Sequence, residues 1–302
     1  MKKIFVLGLI AALAISPAVR ACDICGCGVG NFNPHMFPHL AKSFLSFGYN
    51  YRYFKTHLHD GTGEENTEYY HTFQIAGQFS PIKKMQVIAA LPFQMNRQDG
   101  VHGFKSLNHL GDAVVLSNYR FIDAFTGKQN QVRHTFLAGV GVKLPTGKSS
   151  YNHDNESQVH NANFQAGSGS TDFMFNSSYN LRVKQWVMSA GATYKINGSN
   201  SESYRFGDRL LGLAQAKYIK DFGRFSLIPN AGLTFEKLEM DKSHGISVDH
   251  TGGYTFQATT GMDINNRNWA VGFVYQRPIV QDLAAGHIHA MPGFNLHLSY
   301  SF

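Results

Sequence analysis

The sequence predicts an all-β fold, a transmembrane antiparallel β-barrel of about 12 strands with short periplasmic turns and longer extracellular loops. Three observations carry that expectation. From Ser43 to Phe302 the chain alternates apolar and polar residues with period two, the mark of strands with two unlike faces. Connections between the runs are short and long in turn, as in barrels that turn tightly on one side of a membrane. Faces opposite the aromatics carry Arg52, Arg120, Lys143, Arg182, Lys195 and Lys217 in mid-strand. A packed apolar core would reject such charges, whereas a watered lumen accepts them.

Composition agrees. Of 302 residues, 43% are hydrophobic and only 16% are charged, against ~25% for soluble domains. No run of eighteen apolar residues occurs, so spanning helices are not expected. A soluble β-sandwich or lipocalin-like barrel is the competing fold. It is disfavoured by these charges and by runs long enough to cross a tilted bilayer path of about 9–11 residues.

The chain opens with Lys2-Lys3, an apolar stretch from Ile4 to Ile15 and Val19-Arg20-Ala21. That is the layout of an export signal over 1–21. Cleavage there would make Cys22 the first mature residue; Arg20 fits poorly before a lipidated cysteine, so ordinary cleavage is favoured over a lipid anchor. Residues 22–42 form an irregular arm rich in Cys, His and Gly. The barrel occupies 43–302.

Its runs follow in order. Leu45, Phe47, Tyr49, Tyr51 and Tyr53 alternate with Ser46, Gly48, Asn50 and Arg52; Phe73, Ile75 and Phe79 alternate with Thr72, Gln74 and Gln78. Further runs cover Met85 to Met95, Ala113 to Phe121, Phe136 to Leu144, Phe173 to Leu181 and Trp186 to Ile196. Leu210 to Tyr218, Phe225 to Phe235, Tyr254 to Ile264, Trp269 to Tyr275 and Phe294 to Phe302 complete them. Short connections are expected at 80–84, 124–131, 183–185, 221–224 and 265–268. Long polar ones are expected at 56–68, 96–110, 146–167, 197–206, 240–252 and 281–292. An aromatic terminus, Phe302, closes the last strand in the manner of barrels inserted by the outer-membrane assembly machinery. The expected surroundings are therefore outer-membrane lipids, and the expected location is the bacterial outer membrane.

Several short motifs follow one another along the barrel. Gly111-Asp112-Ala113-Val114-Val115-Leu116-Ser117-Asn118-Tyr119-Arg120 precedes Leu144-Pro145-Thr146-Gly147-Lys148 and Gly167-Ser168-Gly169-Ser170-Thr171-Asp172. Tyr204-Arg205-Phe206-Gly207-Asp208-Arg209 and the stretch from Tyr275 to Phe302 come next. In order and spacing these resemble the bacterial outer-membrane family named for the MetA pathway of phenol degradation. The resemblance implies an outer-membrane barrel with a transport role; it does not extend to the Cys-rich arm. Locally the motifs also make sense alone. Gly-Asp pairs sit where a loop enters a strand, and Pro145 ends a ladder it cannot continue.

Other chemistries are disfavoured. Gly141 to Ser149 has five residues between its first glycine and Gly147-Lys148, one too many for a phosphate loop. No Gly-x-Ser-x-Gly elbow occurs, and His297 beside Ser299 is an ordinary same-face pair, so no enzyme is expected. The net charge of +7 includes Lys2, Lys3 and Arg20 of the leader, which leaves +4 dispersed along the chain. No basic run exists, and no nucleic-acid partner is expected.

Two kinds of site remain. Alternation turns Arg52, Arg120, Arg133, Lys143, Arg182, Lys195, Arg209 and Lys217 into the lumen, against Asp172, Glu236 and Asp263. Such an excess biases a pore toward anionic solutes, unless the charges pair and hold the interior shut. The expected activity is passage of small solutes, anionic or metal-associated. The alternative is a closed barrel that acts as a metal-binding or surface-interaction module. For that role the arm offers Cys22, Cys25 and Cys27, with His35, Met36 and His39 nearby, a donor set suited to Cu or Zn. A disulfide between two of the three cysteines is the competing outcome. His57, His59, His102, His109, His153, His160, His244, His250, His287 and His289 fall in the long connections, where His-Leu-His and His-Ile-His are workable half-sites.

Overall fold

A computed structural model describes residues 43–57, 65–100, 103–127, 132–149 and 164–302. The signal segment, the arm with its cysteines, His35 and His39, and the loop histidines His59, His102, His153 and His160 lie outside the described residues.

Twelve strands close into an antiparallel barrel. They are β1 (Phe44–His57), β2 (Glu65–Phe79), β3 (Met85–Gly100), β4 (Ala113–Thr126), β5 (Val132–Leu144) and β6 (Asp172–Val183). β7 (Trp186–Ile196), β8 (Arg209–Tyr218), β9 (Phe225–Leu238), β10 (Gly253–Asn266), β11 (Trp269–Leu283) and β12 (Gly293–Ser301) complete the wall. Each pairs with its neighbour in sequence, and β12 returns to β1 from Phe44↔Ser301 to Tyr51↔Phe294. Closure leaves no edge, the condition for placing a sheet in lipid.

The outer face is the apolar one. Phe47, Ile75, Leu91, Val140, Phe175, Leu233 and Phe273 are all exposed. In water such a surface would be an aggregation liability; in a bilayer it is the required coat. Aromatics gather near the short-turn end, where Trp186 stacks near Tyr218 with ring centres 4.9 Å apart and Trp269 lies 4.8 Å from Tyr300. Tyr51, Tyr53 and Tyr69 mark the opposite end. These two belts are where amphipathic rings meet the headgroups.

Turn chemistry sets the tight end. Lys184-Gln185 and Arg267-Asn268 connect hairpins in two residues, with Lys184 and Arg267 both at φ 53°. Positive φ there matches the right-handed twist of the flanking strands.

Strands extend further than the hydrophobic alternation indicates. β3 runs to Gly100, and Gly103–Leu110 pairs back on Phe93 to Gly100, so the expected loop 96–110 is largely a hairpin. Likewise β1 and β2 remain paired to His57↔Glu65, and Ile288–Ala290 pairs with Phe54 to Thr56 inside the expected loop 281–292. The backbone ladder continues where both faces meet polar surroundings, and there alternation carries no signal. A bulge between Arg120 and Ile122 puts Phe121 and Ile122 both outside and turns Asp123 inward.

Candidate functional site: the barrel interior

The inward face mixes polar and apolar levels: Arg52, Lys143, Lys195 and Arg209 enter ion pairs, Arg120, Arg133, Arg182 and Lys217 line a cavity, and Ile88, Val114, Leu116 and Met174 pack as a buried apolar cluster. Three further carboxylates share this face: Glu68, Asp112 and Asp123. The sequence reading put Glu68 in a connection and left Asp112 and Asp123 just outside the expected strand, although Glu68 and Asp112 keep the parity of Thr72 and Arg120. Most of the cations are therefore paired.

At the loop end the interior is filled. The chain returning to β6 folds into the mouth, burying Phe164, Gln165, Ala166, Ser168 and Ser170. Phe164 packs with Phe54, Tyr70, Leu283, Ala284, Ile288 and Ala290. Asn96 Nδ2 donates to the Phe164 carbonyl at 2.9 Å, and Gln94 Nε2 to that of Ala166 at 3.2 Å. Gln94, Asn96 and Thr255 are each only 1% exposed at this level.

Just below, the three motifs at 111–120, 144–148 and 167–172 converge. Lys143 Nζ lies 2.8 Å from both Asp112 Oδ2 and Asp172 Oδ2, with all three side chains fully buried. Asp112 also accepts from the Ser168 N–H at 2.9 Å, the Ser168 hydroxyl at 3.0 Å and the Gly147 N–H at 3.0 Å. Lys143 bonds Ser168 Oγ as well. Gly147 and Gly167 touch backbone to backbone: a Cβ on Gly147 would stand 2.8 Å from Gly167 Cα, so neither position accepts a side chain. Lys195 reaches Asp172 at 3.5 Å. Across the lumen, Arg209 on β8 and Arg52 on β1 meet Glu236 on β9 at 3.0 and 3.5 Å. This layer pins the mouth segment to the wall through charge.

The short-turn half is open by contrast. A cavity of about 330 Å³ is lined by Arg120, Arg133, Arg182 and Lys217 together with Asp263. Arg120 and Arg133 both reach Asp123, at 3.3 and 2.8 Å, and Lys217 lies 3.6 Å from Asp263. Leu137, Val187, Ile219 and Ile228 add hydrocarbon to the same lining. Thus Arg52, Lys143, Lys195 and Arg209 belong to the closed layer, and Arg120, Arg133, Arg182 and Lys217 to the cavity.

Above the barrel, Tyr204–Arg205, Lys242–Ser243 and Ile246–Ser247 form a small sheet over the wall. Its anchor is Asp241, which accepts from Tyr204 Oη at 2.6 Å and from the Gly207 N–H at 2.7 Å. Burial pushes the Asp241 carboxyl above its ordinary range, and the Tyr204 hydroxyl offsets part of that rise.

His297 and Ser299 do not form a dyad: His297 Nε2 approaches Asp263 at 3.7 Å, and the Ser299 hydroxyl donates to Ser46 Oγ at 2.8 Å. Of the loop histidines, His250 and His287 meet edge to face at 4.4 Å. No cluster of three His, Cys, Asp or Glu suited to a metal occurs among the described residues.

Closed wall, lipid-facing apolar coat and ion-paired interior define an outer-membrane β-barrel. Among solved structures, the COG4313 outer membrane channel from Pseudomonas putida F1 shares this fold, with a TM-score of 0.63 at 13% identity over 90% of this chain and 100% of that one. The translocator domain of the autotransporter NalP from Neisseria meningitidis aligns with a TM-score of 0.48 at 10% identity, covering 89% and 92% of the two chains. The beta domain of the Bordetella autotransporter BrkA gives 0.47 at 11% identity, covering 87% and 100%. No family model matches the sequence, and no curated protein does. The similarity to the Pseudomonas channel shows the outer-membrane barrel that the motif resemblance implied; the MetA-pathway assignment stands on the motifs alone.

Proposed function

We propose that the protein is a gated outer-membrane channel that passes small, preferentially anionic solutes without covalent chemistry. The observation that carries this reading is the cation-lined cavity of about 330 Å³ at the short-turn end. A barrel needed only as an anchor gains nothing from an unfilled interior, which sacrifices packing. The fold shared with the Pseudomonas outer membrane channel supports the same reading. In this reading the buried mouth segment and the ion-paired layer beneath it are the gate above the cavity, and conduction requires that segment to leave. Liposome swelling tests the proposal. Vesicles carrying the protein should swell faster in small carboxylates than in sugars of the same size, and equal rates in all solutes, at the level of empty vesicles, would refute it.

The ion-paired layer also favours a second reading, a barrel that stays shut and displays its arm. In that reading Cys22, Cys25 and Cys27, completed by His35 and His39, hold Cu or Zn.

A further inference from the structure

We infer that the cavity at the short-turn end is a binding site for small organic acids, a carboxylate head with an apolar body, reached from the periplasmic side. The inference rests on the channel reading for its biological setting but not for its chemistry. The cavity interleaves charge and hydrocarbon. Arg120, Arg133, Arg182 and Lys217 converge from four strands, and Leu137, Val187, Ile219 and Ile228 lie among them, with Leu137 cross-strand from Arg120 and Val187 cross-strand from both Arg182 and Lys217.

The cations are not consumed by local pairing. Asp123 serves both Arg120 and Arg133, and Asp263 is shared between Lys217 and His297. Arg182 bonds the Lys184 carbonyl through Nε at 3.2 Å, which leaves its two terminal nitrogens, the bidentate pair that fits a carboxylate, outside that bond. Two donors in the same lining lack partners. Asn180 is 8% exposed; its Oδ1 accepts from Ser189 at 2.7 Å, while its Nδ2 has no acceptor. The buried Nε of Arg120 has none either. A buried donor without an acceptor costs about 1–3 kcal/mol, and a bound oxyanion removes that cost. Free phosphate would satisfy the donors but leave the apolar side chains between them against water. An acid with a short hydrocarbon body meets both kinds of lining residue, and the volume suits a molecule of that size.

Isothermal titration of the detergent-solubilised full chain tests this, with hexanoate, inorganic phosphate and hexanol as probes. Hexanoate should bind saturably and phosphate at least tenfold more weakly, whereas hexanol should give only the partitioning heat of the micelles. Arg182→Gln and, independently, Asn180→Asp should each weaken hexanoate at least tenfold while leaving the heat-modifiable barrel mobility unchanged. Phosphate binding as tightly as hexanoate, hexanol binding comparably, or hexanoate binding unchanged in both variants would overturn the inference. Because titration needs no solute passage, a protein that binds hexanoate but fails the swelling assay refutes the channel and keeps the site; the reverse result does the opposite.

Discussion

Replacing Asp112 with alanine should release the mouth segment while leaving the barrel standing. Asp112 is fully buried and takes hydrogen bonds from the Lys143 ammonium, the Ser168 N–H and hydroxyl, and the Gly147 N–H. Lys143 and Asp112 both belong to the wall, so the bonds that bear on docking are those from the Ser168 N–H and hydroxyl. Hydrogen bonds to a charged group contribute about 1.5–3 kcal/mol each, and two at the lower end give roughly 3 kcal/mol. At about 1.4 kcal/mol per tenfold, roughly 3 kcal/mol raises the undocked population about a hundredfold. The barrel ladder is untouched, so the effect should be local. Hydrogen–deuterium exchange read by mass spectrometry on peptides covering 164–171 measures it directly. Those amides, Ser168 above all, should exchange about a hundredfold faster in Asp112→Ala than in the parent. Asp112→Asn, which retains an acceptor for Gly147 but not the charge, should fall between. Unchanged exchange in Asp112→Ala, with β-strand peptides equally protected in both, would show that the ion-paired layer does not hold the segment.

Further outcomes follow from the same geometry. Changing Arg120, Arg133, Arg182 and Lys217 together to Gln should abolish or invert anion preference in reversal-potential measurements, and an unaltered reversal potential would place selectivity elsewhere. Asp241 has a raised folded-state pKa, so protonation favours the docked loop sheet: its stabilisation is fullest at acid pH and declines as pH rises through that raised value. Exchange at 204–207 should accordingly quicken with rising pH beyond the intrinsic chemistry, and Asp241→Asn should remove the excess. For the arm, metal content measured on protein purified without chelator should fall in a Cys22→Ser/Cys25→Ser/Cys27→Ser variant; equal content would refute that site.

Much of the fold was legible because a lipid-facing wall must alternate. Leu45 to Tyr53 and Phe173 to Leu181 announce their strands, and the alternation of short and long connections announces the closed barrel. The signal failed where neither face meets lipid, at Asn96 to Gly100 with its partner Gly103–Leu110, and where the β4 bulge changes parity before Asp123. For the interior, alternation does not state how the cations pair. Lys143 reads as a lumen cation, yet its character is set by Asp112 and by Ser168 from a segment that enters the lumen only in three dimensions. No local pattern states that Gly167-Ser168-Gly169-Ser170 folds inward. The close approach of Gly147 to Gly167 explains why both are glycine, but only once the two loops are seen together.

Single-channel conductance of the full chain in a planar bilayer tests the central claim most directly. The parent should show rare, small openings with a reversal potential of the sign for anions, and Asp112→Ala should show the same openings far more often. Complete silence from both proteins, with insertion demonstrated in the same membrane, would contradict a gated channel and leave a closed barrel.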